Sequence, residues 1–67
     1  MKVKVNNKII TIFNGAQVKD AIRKYSNNEY KEIKNGNKII TDKNGNQVMP
    51  TGELMGDEEL NIINKKN

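Results

Sequence analysis

Lys2-Val3-Lys4-Val5 alternates polar and apolar with a period of two, which predicts a half-buried strand. Asn6-Asn7 follows, and Asn tolerates positive φ, so the pair predicts a tight hairpin turn. Lys8 to Phe13 is β-branched and apolar and predicts the returning strand. With Val3 and Val5 turned to the core, Ile10 and Ile12 are the inward set, and Ile9, Thr11 and Phe13 face the other side. After Asn14-Gly15 the period changes to 3.6. Val18, Ala21, Ile22 and Tyr25 stand at i, i+3, i+4 and i+7, the apolar stripe of an amphipathic helix, with Lys19, Asp20, Arg23 and Lys24 on its outer face.

Ser26-Asn27-Asn28-Glu29 has the spacing of a capping box, so a second short helix is expected from about Asn28 to Lys34, burying Tyr30 and Ile33. Asn35-Gly36 supplies the positive-φ stop. Lys38–Thr41 predicts a third strand, Asp42–Gly45 a turn and Gln47–Met49 a short fourth strand ended by Pro50. Leu60-Asn61-Ile62 alternates as a last strand after the polar turn Gly56–Glu59. One of Ile39 and Ile40 must face outward, and the pattern alone leaves open which.

The stretch Asn-Lys-Ile-Ile-Thr occurs twice, at 7–11 and at 37–41. A duplicated unit should repeat its context. Here the first copy leads into a helix and the second into a hairpin, so the repeat reads as coincidence in a chain rich in Asn, Lys and Ile.

At 67 residues the chain has room for one domain, 1–67, with a polar tail at 63–67. It contains neither Cys nor His. That removes disulfides, thiol chemistry, the usual base near neutral pH and the commonest metal ligand. Catalytic residues, a metal site and a cofactor are therefore not expected. Asp42, Asn44, Asn46 and Glu53 match oxygen-ligand positions of a calcium loop, but Gln47 stands where Gly is needed, so a polar turn is expected. Asp57-Glu58-Glu59 has no partner base and reads as a solvated turn.

The formal net charge is +4, unevenly spread. Residues 1–43 hold ten Lys/Arg against four acids, whereas 44–67 hold two against four. A basic front suits an acidic partner or nucleic acid. Aromatics suited to base stacking are few (Phe13, Tyr25, Tyr30), which makes RNA the weaker expectation. The opening MKVKVNNK has no apolar run of a signal peptide, so a cytoplasmic, non-membrane monomer is the default expectation.

Two further stretches carry a resemblance. Gly15-Ala16-x-Val18-x-Asp20-Ala21-Ile22 resembles the helix entry of the small sulfur-carrier proteins of thiamin and molybdopterin synthesis. Leu54-x-Gly56-Asp57-Glu58-x-Leu60-x-Ile62 resembles the turn into their final strand. Together with the element order, this resemblance implies an α+β chain of the ubiquitin-like β-grasp superfamily: a ββα(α)βββ mixed sheet packed on one main helix. In that family sulfur is carried on a C-terminal Gly-Gly, and this sequence departs there, with Ile63-Asn64-Lys65-Lys66-Asn67. A degenerate or truncated sulfur carrier and an RNA-associated β-grasp module are the alternatives to the leading expectation. That expectation is a non-catalytic protein-interaction module whose partner meets the open sheet face at Lys2, Lys4, Lys8, Ile9, Thr11 and Ile63. An apolar patch ringed by cations on such a face is a usual docking surface.

Overall fold

The computed structural model describes residues 1–65; Lys66 and Asn67 of the expected polar tail lie outside them. Four strands and two helices follow one another as β1 (Lys2–Val5), β2 (Lys8–Thr11), α1 (Val18–Tyr25), α2 (Asn27–Lys34), β3 (Lys38–Thr41) and β4 (Glu59–Asn64). The strands form one mixed sheet in the order β2-β1-β4-β3. Its two central strands, β1 and β4, are parallel, and both outer pairs are antiparallel. The chain is thus α+β, with its first and last strands side by side in the middle.

Asn6 and Asn7 have φ of 50° and 68°. Two successive positive φ values make the turn whose twist matches a two-residue hairpin. Asn6 also ties three elements together: its Oδ1 accepts from the Ile62 N–H at 2.9 Å and its Nδ2 donates to the Tyr25 hydroxyl at 3.3 Å. Ser26 closes α1 and opens α2. Its N–H donates to the Ile22 carbonyl, and its Oγ accepts from the Glu29 N–H. Half of the expected capping box forms. The Glu29 carboxylate does not return to Ser26 but accepts from Lys38 Nζ on β3 at 2.7 Å, pinning α2 to the sheet.

The core is a single layer between the helices and one sheet face. Val3, Val5, Ile10, Ile12, Ala16, Val18, Ala21, Ile22, Ile40, Leu54 and Leu60 are buried, and Ile62, Tyr25, Tyr30 and Ile33 pack against them. Ile40 pairs with Ile62 and is buried, so Ile39 is the outward residue of the two.

Two expectations need correction. Gln47–Met49 is not a strand: only Gln47 bridges, to Thr41. Asp42 Oδ1 accepts from the Asn44 and Asn46 N–H groups, so the loop is organised on its own side chain and touches β3 at one point. The last strand runs two residues past Ile62, to Asn64, because β3 offers partners as far as Lys38. Ile63 and Asn64 therefore belong to the sheet and not to a tail.

Candidate interaction face

Both helices cover the same side of the sheet, and strand register decides which residues lie on the other. Lys4 pairs with Ile9 and lies beside Glu59; Lys2 pairs with Thr11; Ile39 pairs with Ile63. Partners in register share a face. The uncovered face therefore carries Lys2, Lys4, Ile9, Thr11, Glu59, Asn61, Ile39 and Ile63, together with Thr41, which pairs with Asn61 but is buried. Five of the six expected contact residues are there. Ile9 is 60% exposed and Ile63 is 44% exposed.

Lys8 is the exception. A two-residue turn makes its flanking residues a pair, so Lys8 stands opposite Val5 and shares the helix-side face of Val3, Val5 and Ile10. It is exposed only because it ends the sheet.

Ile9 and Ile63 do not form one patch. Ile9 lies on the outer strand β2, and β1 separates it from β4. Along β4, Glu59 stands level with Lys4 and Ile9, while Ile63 is four residues further on. The face therefore has two apolar points at opposite corners: Ile9, and the Ile39–Ile63 pair. Between them run charges of both signs. A shallow groove is lined by Lys2, Lys4 and Ile9 on one side and by Asp57, Glu58 and Glu59 on the other.

The acidic turn is structural. Glu58 accepts from the N–H groups of Met55 and Gly56 at 2.6 and 2.7 Å. Asp57, with φ of 66°, donates its N–H to the Lys2 carbonyl. A carboxylate two or three residues beyond a Gly turn was the sequence cue for this staple, and the solvated reading passed over it. On the helix side, the Glu29 hydrogen bond and the charges of Glu29 and Glu32 hold the Lys38 ammonium above the ordinary lysine range, against some desolvation.

The expected contact set omits one group that the alternation had turned outward. Phe13 is 64% exposed and, with Ile12, Arg23, Lys24 and others, lines a cleft between the end of β2 and α1. Tyr30 is occupied: Arg23 and Lys34 each lie 5.6 Å from its ring centre. Among the described residues, no cluster of three or more acidic, His or Cys side chains could hold a metal ion, and no helix is long and apolar enough to cross a membrane.

Comparison of the chain with protein-family models, curated proteins and solved structures gives no match.

Proposed function

We propose that this chain is a non-catalytic, ubiquitin-like β-grasp module that binds a partner protein on the uncovered side of its sheet. The β-grasp reading is supported by the hairpin, the helical crossing and the parallel pairing of first and last strands at the sheet centre. The observation that carries the interaction reading is the one-sided covering of the sheet. Both helices pack on one face, and the other presents Ile9, more than half exposed, between Lys2 and Lys4 on one strand and Thr11 on its own. A large aliphatic side chain held in solvent by a rigid strand loses little further conformational freedom when a partner covers it.

A photoreactive residue in place of Ile9, in the cells that make the protein, tests this reading. A discrete crosslinked protein is expected from position 9 and none from Lys31, an exposed residue of α2. Crosslinking from position 31 alone would overturn it.

Phe13 favours a second reading, as an RNA-associated module, since an exposed ring beside Arg23 and Lys24 is the pairing that stacks bases and neutralises phosphate. Oligouridylate binding that falls steeply with added salt would favour it. The absence of binding at low salt would remove it.

A further inference from the structure

Three Asn-Gly pairs occur in the chain, at 14–15, 35–36 and 44–45. In such a pair the glycine nitrogen has no Cβ beside it and can close a five-membered ring on the asparagine carboxamide. All three pairs are exposed and all three glycines have positive φ, so neither property separates them. What separates them is where each glycine N–H goes. Gly36 donates to the Ile33 carbonyl at 3.1 Å, and Asn35 before it is the C-cap of α2, its own N–H on the Lys31 carbonyl. Gly45 donates to the Asp42 carbonyl at 3.0 Å. The Gly15 N–H has no partner among the described residues. Residues 13–16 form a turn closed by the Ala16 N–H on the Phe13 carbonyl at 3.3 Å. With Gly15 at φ of 90° and Asn14 outside the positive region, it is a type II turn, whose central peptide unit takes no part in the closing bond.

We propose that Asn14 is a modification site, at which the Gly15 nitrogen attacks the carboxamide and turns the side chain into a carboxylate ahead of Asn35 and Asn44. The N–Cγ bond forms as solvent hydroxide takes the Gly15 proton. The Cγ–Nδ2 bond breaks, and ammonia leaves with a proton from water. Water then opens the cyclic imide. Attack at Cγ leaves aspartate; attack at the main-chain carbonyl leaves isoaspartate, with the chain running through the side chain. Rotation of the central peptide unit brings nitrogen to Cγ and breaks no hydrogen bond of Gly15, whereas at Gly36 and Gly45 it breaks the one each glycine makes. The Asn14 carboxamide has one long contact, its Oδ1 accepting from the Met1 amino group at 3.4 Å. Charge acts in the same direction. Asn44 shares a cleft with Lys43 and with the carboxylates of Asp42, Glu53, Asp57, Glu58 and Glu59, which oppose loss of the Gly45 amide proton. Beside Asn14, the Phe13 cleft holds Arg23 and Lys24 against one acid, Asp20, whose carboxylate accepts from the Gln17 N–H at 2.9 Å. The new carboxylate lowers the net charge of +4 by one. In the isoaspartate form an added main-chain carbon separates Phe13 from Ala16. Ala16 is buried and its carbonyl accepts from the Leu54 N–H at 3.0 Å, so this form loosens the passage from β2 into α1.

The test follows the full wild-type chain, folded at mildly alkaline pH, by tryptic mapping and mass spectrometry. Trypsin places the three pairs on separate fragments, 9–19, 35–38 and 44–65. Conversion at Asn14 is expected to run about fivefold or more ahead of Asn35 and Asn44, the factor that one hydrogen bond confers. In concentrated urea the three rates should draw together to within about twofold, since the unfolded chain lacks the bonds that separate them. Asn14→Gln makes the ring closure six-membered. It should remove the first phase of ammonia release from the folded chain and leave its stability unchanged, because the side chain is exposed. Conversion at Asn35 or Asn44 as fast as at Asn14 in the folded chain would overturn the assignment. So would a gap that survives in urea, no conversion of folded Asn14 while the urea sample converts, or a first ammonia phase that persists in Asn14→Gln.

Discussion

The same four residues, Lys-Ile-Ile-Thr, make both edge strands of this sheet, and the two copies live in different surroundings. In β2 only Ile10 is buried. In β3 Ile40 and Thr41 are both buried, and Lys38 and Ile39 are half-covered. The second isoleucine faces the helices in both. What differs is what lies beyond the edge: solvent for β2, and for β3 the loop that bridges through Gln47 together with the α2 carboxylate of Glu29. Strand identity and facing are therefore written into the tetrapeptide, and exposure is not. Lys8 and Thr11 remain in solvent, whereas the chain itself has already used Lys38 and Thr41.

Truncating the inward isoleucines should produce the largest effects and should abolish the difference between the copies. Ile10→Ala and Ile40→Ala are each expected to cost about 2–5 kcal/mol by urea denaturation, because both side chains are buried. A loss well under 1 kcal/mol at either position would mean that the strand faces the other way. The threonines should separate the copies next. Thr41 is 6% exposed, and Thr41→Asp places a carboxylate under the covering loop, at an expected cost of about 2 kcal/mol or more. Thr11→Asp, on the open edge, should change stability by about 0.5 kcal/mol or less.

A smaller effect concerns the hinge into α1. Gln17 is the N-cap of that helix, with extended φ and ψ, and its buried Oε1 has no hydrogen-bond partner among the described residues. Gln17→Ser supplies a shorter acceptor suited to the first-turn N–H groups, and a gain of about 0.5–1 kcal/mol in thermal or urea unfolding is expected. It should leave β2 and β3 equally placed and so serves as a control on the comparison.

The lysines should give the smallest difference. Lys38→Met removes the ion pair with Glu29, which is partly solvated, and should lower stability only slightly; Lys8→Met should cost nothing measurable. The pH dependence has a definite sign. The folded state raises the Lys38 pKa above the ordinary value of 10.5, so its contribution is full below that value and fades as pH rises through the folded pKa. Wild type and Lys38→Met should therefore converge in stability above that range, and divergence there would contradict the pair.

Much of this fold is legible in the residues. Alternation in Lys2–Val5, the paired Asn turn and the Val18-Ala21-Ile22-Tyr25 stripe each report a local period or a local φ, which sequence carries directly. Gln47–Met49 was not legible as a single bridge, because a short apolar run after Asn-Gly fits a hairpin equally well and the Asp42 side chain decides otherwise. Among the face residues, Lys8 was expected on the open face, although counting across the two-residue turn puts it opposite Val5 on the helix side. The separation of Ile9 from Ile63 was not legible, since it depends on β4 lying beside β1 with Glu59 level with Lys4, a long-range register with no local mark. The openness of β2 has the same origin: the β2 sequence is identical to that of β3, and only the path of the rest of the chain distinguishes them.

Amide hydrogen exchange on the free, dilute protein tests that distinction most directly. Ile9 and Thr11 should exchange close to the rate of unstructured peptide, while Ile10 and Asp42, whose N–H groups bond to Val3 and Asn46, should be slowed by orders of magnitude. Ile9 and Thr11 as slow as Ile10 would mean that the β2 edge is already covered, and would contradict the difference between the two edges.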